Sequence, residues 1–226
     1  IGSEQPSVGL VRPKKTDVTH FCHGHARAVN SMILVPQHSR QHLCRLASME
    51  DRLVWMDLEM TGLYPDENTI IEIATIVTEA DLTVVSEGPA LAISQPESEL
   101  AKMDDWNLTH HTKNGLLKRV RSDGVPMAEA ERVTLEFLME HCLAGVSPLC
   151  GNTIGQDRRF LRRYMPELHE FFHYRSVDVT SVKEIAKRWY PKAPRFSKPS
   201  GHRALDDIRG SIQELSHFRE HIFRDQ

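Results

Sequence analysis

Leu53-Val54-Trp55-Met56-Asp57-Leu58-Glu59-Met60 is a short apolar run broken by two acids, and it reads as a buried strand. Side chains alternate across a strand, so Asp57 and Glu59 leave one face together while Met56 and Leu58 point the other way. An edge strand with a polar face would also carry two such acids. The flanking Leu53, Val54, Trp55 and Met60 are too apolar for a freely solvated ribbon. Buried like charges repel unless a cation compensates them, so the pair is a candidate metal-binding patch. An Asp-x-Glu pattern is weak by itself, and its weight depends on what the rest of the chain supplies.

Outward from this strand, residues 69–78 and 82–93 are β-rich and read as antiparallel neighbours joined by a turn near Glu79 to Asp81. From Met127 to Cys142, Ala130, Val133, Phe137 and Leu138 recur at the spacing of an amphipathic helix. A strand over 148–150, a helix over 156–165, a strand over 174–177 and a helix over 179–190 follow, then a long helix from about Ala204. Strands first, then alternation with helices, predict an α/β fold: a mixed sheet flanked by helices.

The chain has 226 residues, 40% hydrophobic and 26% charged, enough for one sizeable core. A net charge of −3 excludes the global basic signature of a protein that coats long nucleic acids, so a nucleic-acid substrate would need a local pocket. The longest apolar runs fall far short of the roughly 20 residues of a membrane helix, so no membrane partner is expected. Four cysteines without CxxC spacing point to a reducing, cytoplasmic setting. Residues 1–48 carry six basic against two acidic residues and little periodicity, and read as a disordered extension ahead of a domain over 49–226. An organelle presequence is the alternative reading of that extension. Met49, just before the first strand, is a candidate natural start. His20, Cys22, His23 and His25 are ligand types, but nothing downstream completes a tetrahedral set, so a solvated His-rich tail accounts for them.

Two further segments bear on the acid pair. Gly151-Asn152-Thr153-Ile154-Gly155-Gln156-Asp157 leaves a strand, turns and begins a helix, with Asp157 in its first turn. An acid there suits the helix dipole. Phe160, Leu161 and Tyr164 nevertheless place Asp157 in phase with the buried face, where a carboxylate needs a partner. In His202-Arg203-Ala204-Leu205-Asp206-Asp207, the apolar stripe Ile208, Ile212, Leu215 and Ile222 selects between adjacent acids. At ~100° per residue Asp207 flanks the stripe and Asp206 points nearly opposite. Four carboxylates without a cysteine or histidine cage suit Mg²⁺ or Mn²⁺ better than zinc. Two such ions clamp the attacking water and leaving oxygen of a phosphodiester, and His202 is suited to take the water's proton at neutral pH.

The order Asp57-x-Glu59, Asn152-x-x-Gly155-x-Asp157, His202-x-x-x-x-Asp207 resembles the DEDDh exonucleases, which have a ribonuclease H-like fold. Residues 55–63, 151–160 and His173-Tyr174-Arg175 look more closely like the oligoribonuclease family, with the similarity running from about Asp51 to Phe223. The resemblance implies a homodimeric 3′-to-5′ exoribonuclease that degrades very short single-stranded RNA, dinucleotides above all, to mononucleotides with two divalent cations. It implies that Leu63 wedges against a base, that Trp106 and His111 lie on the substrate side, and that Tyr174 acts across the dimer; an interface or core tyrosine is the alternative for Tyr174. Arg175, Thr180 and Thr153 match a cap over the 5′ phosphate, the two threonines standing where serine is common. Rivals are a DEDDh nuclease trimming longer strands, which would favour a long basic groove where this chain has only dispersed positives such as Arg158, Arg159, Arg162 and Arg163, read as lining a helix surface, and an idle binding module, which would have lost a carboxylate.

Overall fold

In the computed structural model of the chain, the described residues are 49–197 and 203–223. The expected extension over 1–48 and the candidate base His202 lie outside them. The sheet has five strands: β1 (Leu53–Met60), β2 (Ile70–Thr78), β3 (Val84–Ala92), β4 (Pro148–Gly151) and β5 (His173–Asp178). Their order is β3-β2-β1-β4-β5, with β1, β2 and β3 antiparallel and β4 and β5 parallel to β1. β1 is therefore central, and its Asp57 and Glu59 stand opposite Ala74 and Glu72 of β2.

Eight helices occur among the described residues: α1 (Glu97–Leu100), α2 (Asp105–Lys113), α3 (Leu116–Ser122), α4 (Met127–His141), α5 (Ile154–Tyr164), α6 (Pro166–Phe171), α7 (Val179–Trp189) and α8 (Ala204–His221). The expected strands and the longer helices form within about two residues of their predicted ends. The helices of residues 97–122 and α6 were not predicted. In α2 only Trp106 and Leu108 are large apolar residues, and both are exposed, so no stripe marks it. It is held instead by Asp104, whose carboxylate accepts from Asn107 N at 2.7 Å.

Each face of β1 builds its own core. Val54, Met56 and Leu58 pack with Leu138, Ile154, Phe160 and Leu161, joining α4 and α5 to one face. Trp55 packs with Ala74, Ile76, Val179, Ala204, Ile208 and Ile212, joining α7 and α8 to the other. Fully burying each large apolar side chain contributes roughly 1.5–3 kcal/mol, which is what holds the helices against the sheet. Asp57 and Glu59 share parity with Trp55, so this packing brings the start of α8 to the acids. Glu72, buried in β2, fastens that start: its Oε2 accepts from Ala204 N at 3.3 Å, and its Oε1 accepts from Arg119 of α3.

Candidate active site

Carboxylate oxygens of Asp57, Glu59 and Asp207 all lie within 4.8 Å of one another. β1 supplies two by alternation, and the first turn of α8 supplies the third. The choice of Asp207 over Asp206 agrees with this arrangement. Asp206 is exposed and pairs with Arg209 at 3.0 Å, whereas Asp207 turns toward the β1 acids.

Asp157 is 5% exposed, on the buried face of α5 as its phase requires. It stands outside the group of three, with Oδ1 accepting from Leu58 N at 2.9 Å, the backbone amide between Asp57 and Glu59. Burial pushes its carboxyl up to about 7, the Leu58 N–H pulls it down, and the neighbouring Asp178 carboxylate adds to the rise. A carboxylate this far from water is what cations at the acid cluster would stabilise. The donor set is oxygen throughout, so the residues fit hard divalent cations.

Beside Asp157 lies a second polar group. Thr153 begins α5 with φ +53°, a left-handed conformation unusual for a branched residue. Two acceptors hold it there: Thr153 N donates to Asp178 Oδ1 and to Thr180 Oγ1, both at 3.0 Å. The Thr153 and Thr180 hydroxyls are 3.1 Å apart, and Thr180 Oγ1 donates to Asn152 Oδ1 at 3.2 Å. The two threonines named from sequence are thus brought together, with Asp178 capping α7 through Thr180 N at 2.9 Å.

Leu63, Trp106 and Tyr174 are 63%, 67% and 73% exposed, too open for core residues and available to a ligand or a second chain. Trp106 stacks on His110 with ring centroids 4.8 Å apart. The Leu63 carbonyl accepts from Gln156 Nε2, which ties the loop after β1 to α5. Gly62 permits that loop, since a Cβ there would stand 2.6 Å from Asn68 Oδ1. His111 is buried, and with Nε2 donating to the Met60 carbonyl at 3.2 Å its Nδ1 meets no partner among the described residues. Burial lowers its pKa. On β5, the Arg175 guanidinium lies 5.2 Å from the Tyr174 ring centroid.

Sequence reasoning passed over Glu72, Gln156, Asp178 and Glu214. Only Glu72 left a trace, as the acid interrupting an apolar strand. Arg158, grouped with its neighbours as a helix-surface positive, turns inward and donates to the His173 carbonyl at 2.8 Å, binding α5 to β5.

Acids from the central strand and from two helices on opposite faces of a mixed sheet define a nuclease domain of the ribonuclease H-like DEDDh class. The exonuclease family model named for RNase T matches residues 54–215. Among solved structures, Exonuclease I of Methylocaldum szegediense is similar at TM-score 0.59 and 19% identity, over 75% of this chain and 40% of that one. E. coli Exonuclease I in complex with a dA16 oligonucleotide is similar at TM-score 0.60 and 14% identity, over 76% and 41%. That likeness is one of fold, and the chain spans about two fifths of those proteins. Oligoribonucleases are much nearer: 55% identity over 180 residues for that of Bordetella pertussis, and 52% over 180 for that of Escherichia coli K12, each covering 79% of this chain and 99% of the relative. The protein of Idiomarina loihiensis is 56% identical over 175 residues, 77% of this chain and 96% of its own. The chain belongs to the oligoribonuclease family of exonucleases.

Proposed function

We propose that this chain is a 3′-to-5′ exoribonuclease of short oligoribonucleotides, dinucleotides above all, hydrolysing the phosphodiester at a site where Asp57, Glu59, Asp157 and Asp207 hold two divalent cations, Mg²⁺ or Mn²⁺. The close approach of three carboxylates from β1 and α8 carries the reading. When bound, such ions polarise the phosphoryl oxygens and make water a stronger nucleophile. The chain's own part is to fix the acids on rigid elements and to exclude bulk water from Asp157. His202 serves as general base, supported by its place in sequence just ahead of α8 and by an imidazole pKa suited to neutral pH.

On the substrate side, Leu63 and Trp106 offer exposed apolar surfaces for bases, and His111 offers a nitrogen without a protein partner among the described residues. Thr153, Thr180 and Arg175 bind the 5′ phosphate, supported by the paired hydroxyls at the start of α5. A net charge of −3 agrees with a pocket for two nucleotides rather than a track for many. The protein works as a homodimer with Tyr174 reaching its partner's site, which its high exposure supports. Buried, unpaired Cys142 and Cys150 support a cytoplasmic location. No helix among the described residues is long and apolar enough to cross a membrane.

The test is a length series. With Mg²⁺ or Mn²⁺, a 5′-phosphorylated dinucleotide is degraded much faster than a 20-mer, and Asp157→Ala abolishes both. Equal rates on the two lengths would remove the short-substrate claim and leave the nuclease. Mixing Asp57→Ala chains with Tyr174→Ala chains restores part of the activity if the tyrosine acts in trans; no recovery in confirmed heterodimers refutes that.

A further inference from the structure

The paired hydroxyls at the start of α5 are wired to a buried acid on α8, the helix that also carries Asp207. Glu214, on α8, is 1% exposed. Its Oε1 pairs with Lys183 of α7 at 2.8 Å, and its Oε2 accepts from Asn152 Nδ2 at 3.1 Å. A paired carboxylate only accepts hydrogen bonds, so the Asn152 atom facing it must be the amide nitrogen. The same nitrogen donates its second hydrogen to Ser211 Oγ at 2.9 Å. Asn152 therefore cannot flip, and its Oδ1 is held toward Thr180.

That orientation decides the protons beyond it. Thr180 has one hydroxyl proton and commits it to Asn152 Oδ1, so toward Thr153 it can only accept. It accepts from Thr153 N, and the contact between the hydroxyls must have Thr153 as donor. Only the Thr153 proton can be redirected to an incoming anion by rotation about a single bond, while Thr180 stays anchored. Reversing Asn152 would turn its NH₂ toward Thr180 and send the Thr180 proton toward Thr153 instead.

We infer that Glu214, acting through Asn152, is a positioning residue that sets the proton direction of the Thr180–Thr153 pair and thereby the preference for a 5′-phosphorylated end. This rests on the reading that the Thr153–Thr180 pair receives the 5′ phosphate, with Thr153 as the hydroxyl that donates to it and Thr180 holding Thr153 in place. A purely structural role for Glu214 would tie α8 to α7 and alter stability or metal binding without altering the choice of end group.

Glu214→Gln keeps the shape but lets the side chain donate, which removes the constraint on Asn152. The measurement is kcat/KM for pApA against ApA in the full chain, alongside Tm and the Mn²⁺ midpoint. Wild type should prefer pApA, and E214Q should lower that preference by about fivefold, the worth of one misdirected hydrogen bond, with Tm and Mn²⁺ midpoint little changed. If E214Q fails to fold, Asn152→Ala cuts the same link while leaving the Lys183–Glu214 pair intact, and should lower the preference likewise. A wild type indifferent to the 5′ phosphate refutes the phosphate reading itself. A wild-type preference that E214Q or N152A leaves unchanged, or a loss that appears only as a weaker Mn²⁺ midpoint, overturns the role of Glu214.

Discussion

Arg119→Met isolates the device that fixes α8 to the sheet. Glu72 is almost wholly buried, with side-chain exposure of 2% against 27% for Arg119, and that guanidinium is the cation it meets in the ion pair. Its other oxygen accepts from Ala204 N at 3.3 Å, three residues before Asp207, while Arg119 Nη2 also reaches the Ala90 carbonyl at 3.3 Å. Removing one member of a buried pair strands the other charge and costs about 3–5 kcal/mol. Partial exposure of Arg119 lets water replace some of the lost interaction, so the lower end, about 3 kcal/mol, is expected. For a domain of this size that corresponds to roughly 6–12 °C in Tm. Urea unfolding followed by circular dichroism gives the value directly, with an unchanged m showing that the loss is one of stability. Glu72→Met with Arg119→Met should cost less than R119M alone, because no charge is left buried; the residual loss is the helix-terminal acceptor, about 1 kcal/mol. The Mn²⁺ midpoint of R119M should weaken as the first turn of α8 loosens. A loss below about 1 kcal/mol in R119M, or a double variant worse than the single, would refute the reasoning.

Further outcomes follow from the site and the core. Asp207→Asn should lower kcat by more than about a hundredfold, beyond the range of outer-shell partners, whereas Asp206→Asn should stay within about twofold because its partner among the described residues is exposed Arg209; comparable losses at both positions would show the helix phase to be misread. Phe160→Ala removes a fully buried ring between α5 and β1 and should cost about 3–5 kcal/mol in urea titration; a cost under 1 kcal/mol would mean the core closes over the gap. Burial raises the Cys142 and Cys150 thiols, so at pH 8 both are protonated and should resist iodoacetamide until urea unfolds the chain; rapid labelling of Cys150 in the native protein, read by peptide mass spectrometry, would contradict the packing of β4.

Much of the site was legible because strand and helix periods turn sequence spacing into direction. Alternation put Asp57 and Glu59 on one face of β1, and the 3.6-residue period separated Asp207 from Asp206 and turned Asp157 inward. The helices over 97–122 were not legible, since α1 has four residues and α2 shows no apolar stripe. Arg158 read as a surface positive because its partners are carbonyls of β5, and backbone acceptors leave no mark in side-chain identity.

From its residues alone the chain determined a mixed α/β sheet, the shared face of Asp57 and Glu59, the inward turn of Asp157 and the choice of Asp207 over Asp206, and likeness to a nuclease family, because these depend on local period and residue type. Tertiary structure decided what those periods cannot state: which element stands across from a given face. It set Glu72 under the start of α8, brought Lys183 to the otherwise unremarkable Glu214, and closed Thr153 on Thr180 across 27 residues. The physical reason is that a buried polar group must find its partner wherever packing places one, and packing joins residues without regard to their distance along the chain.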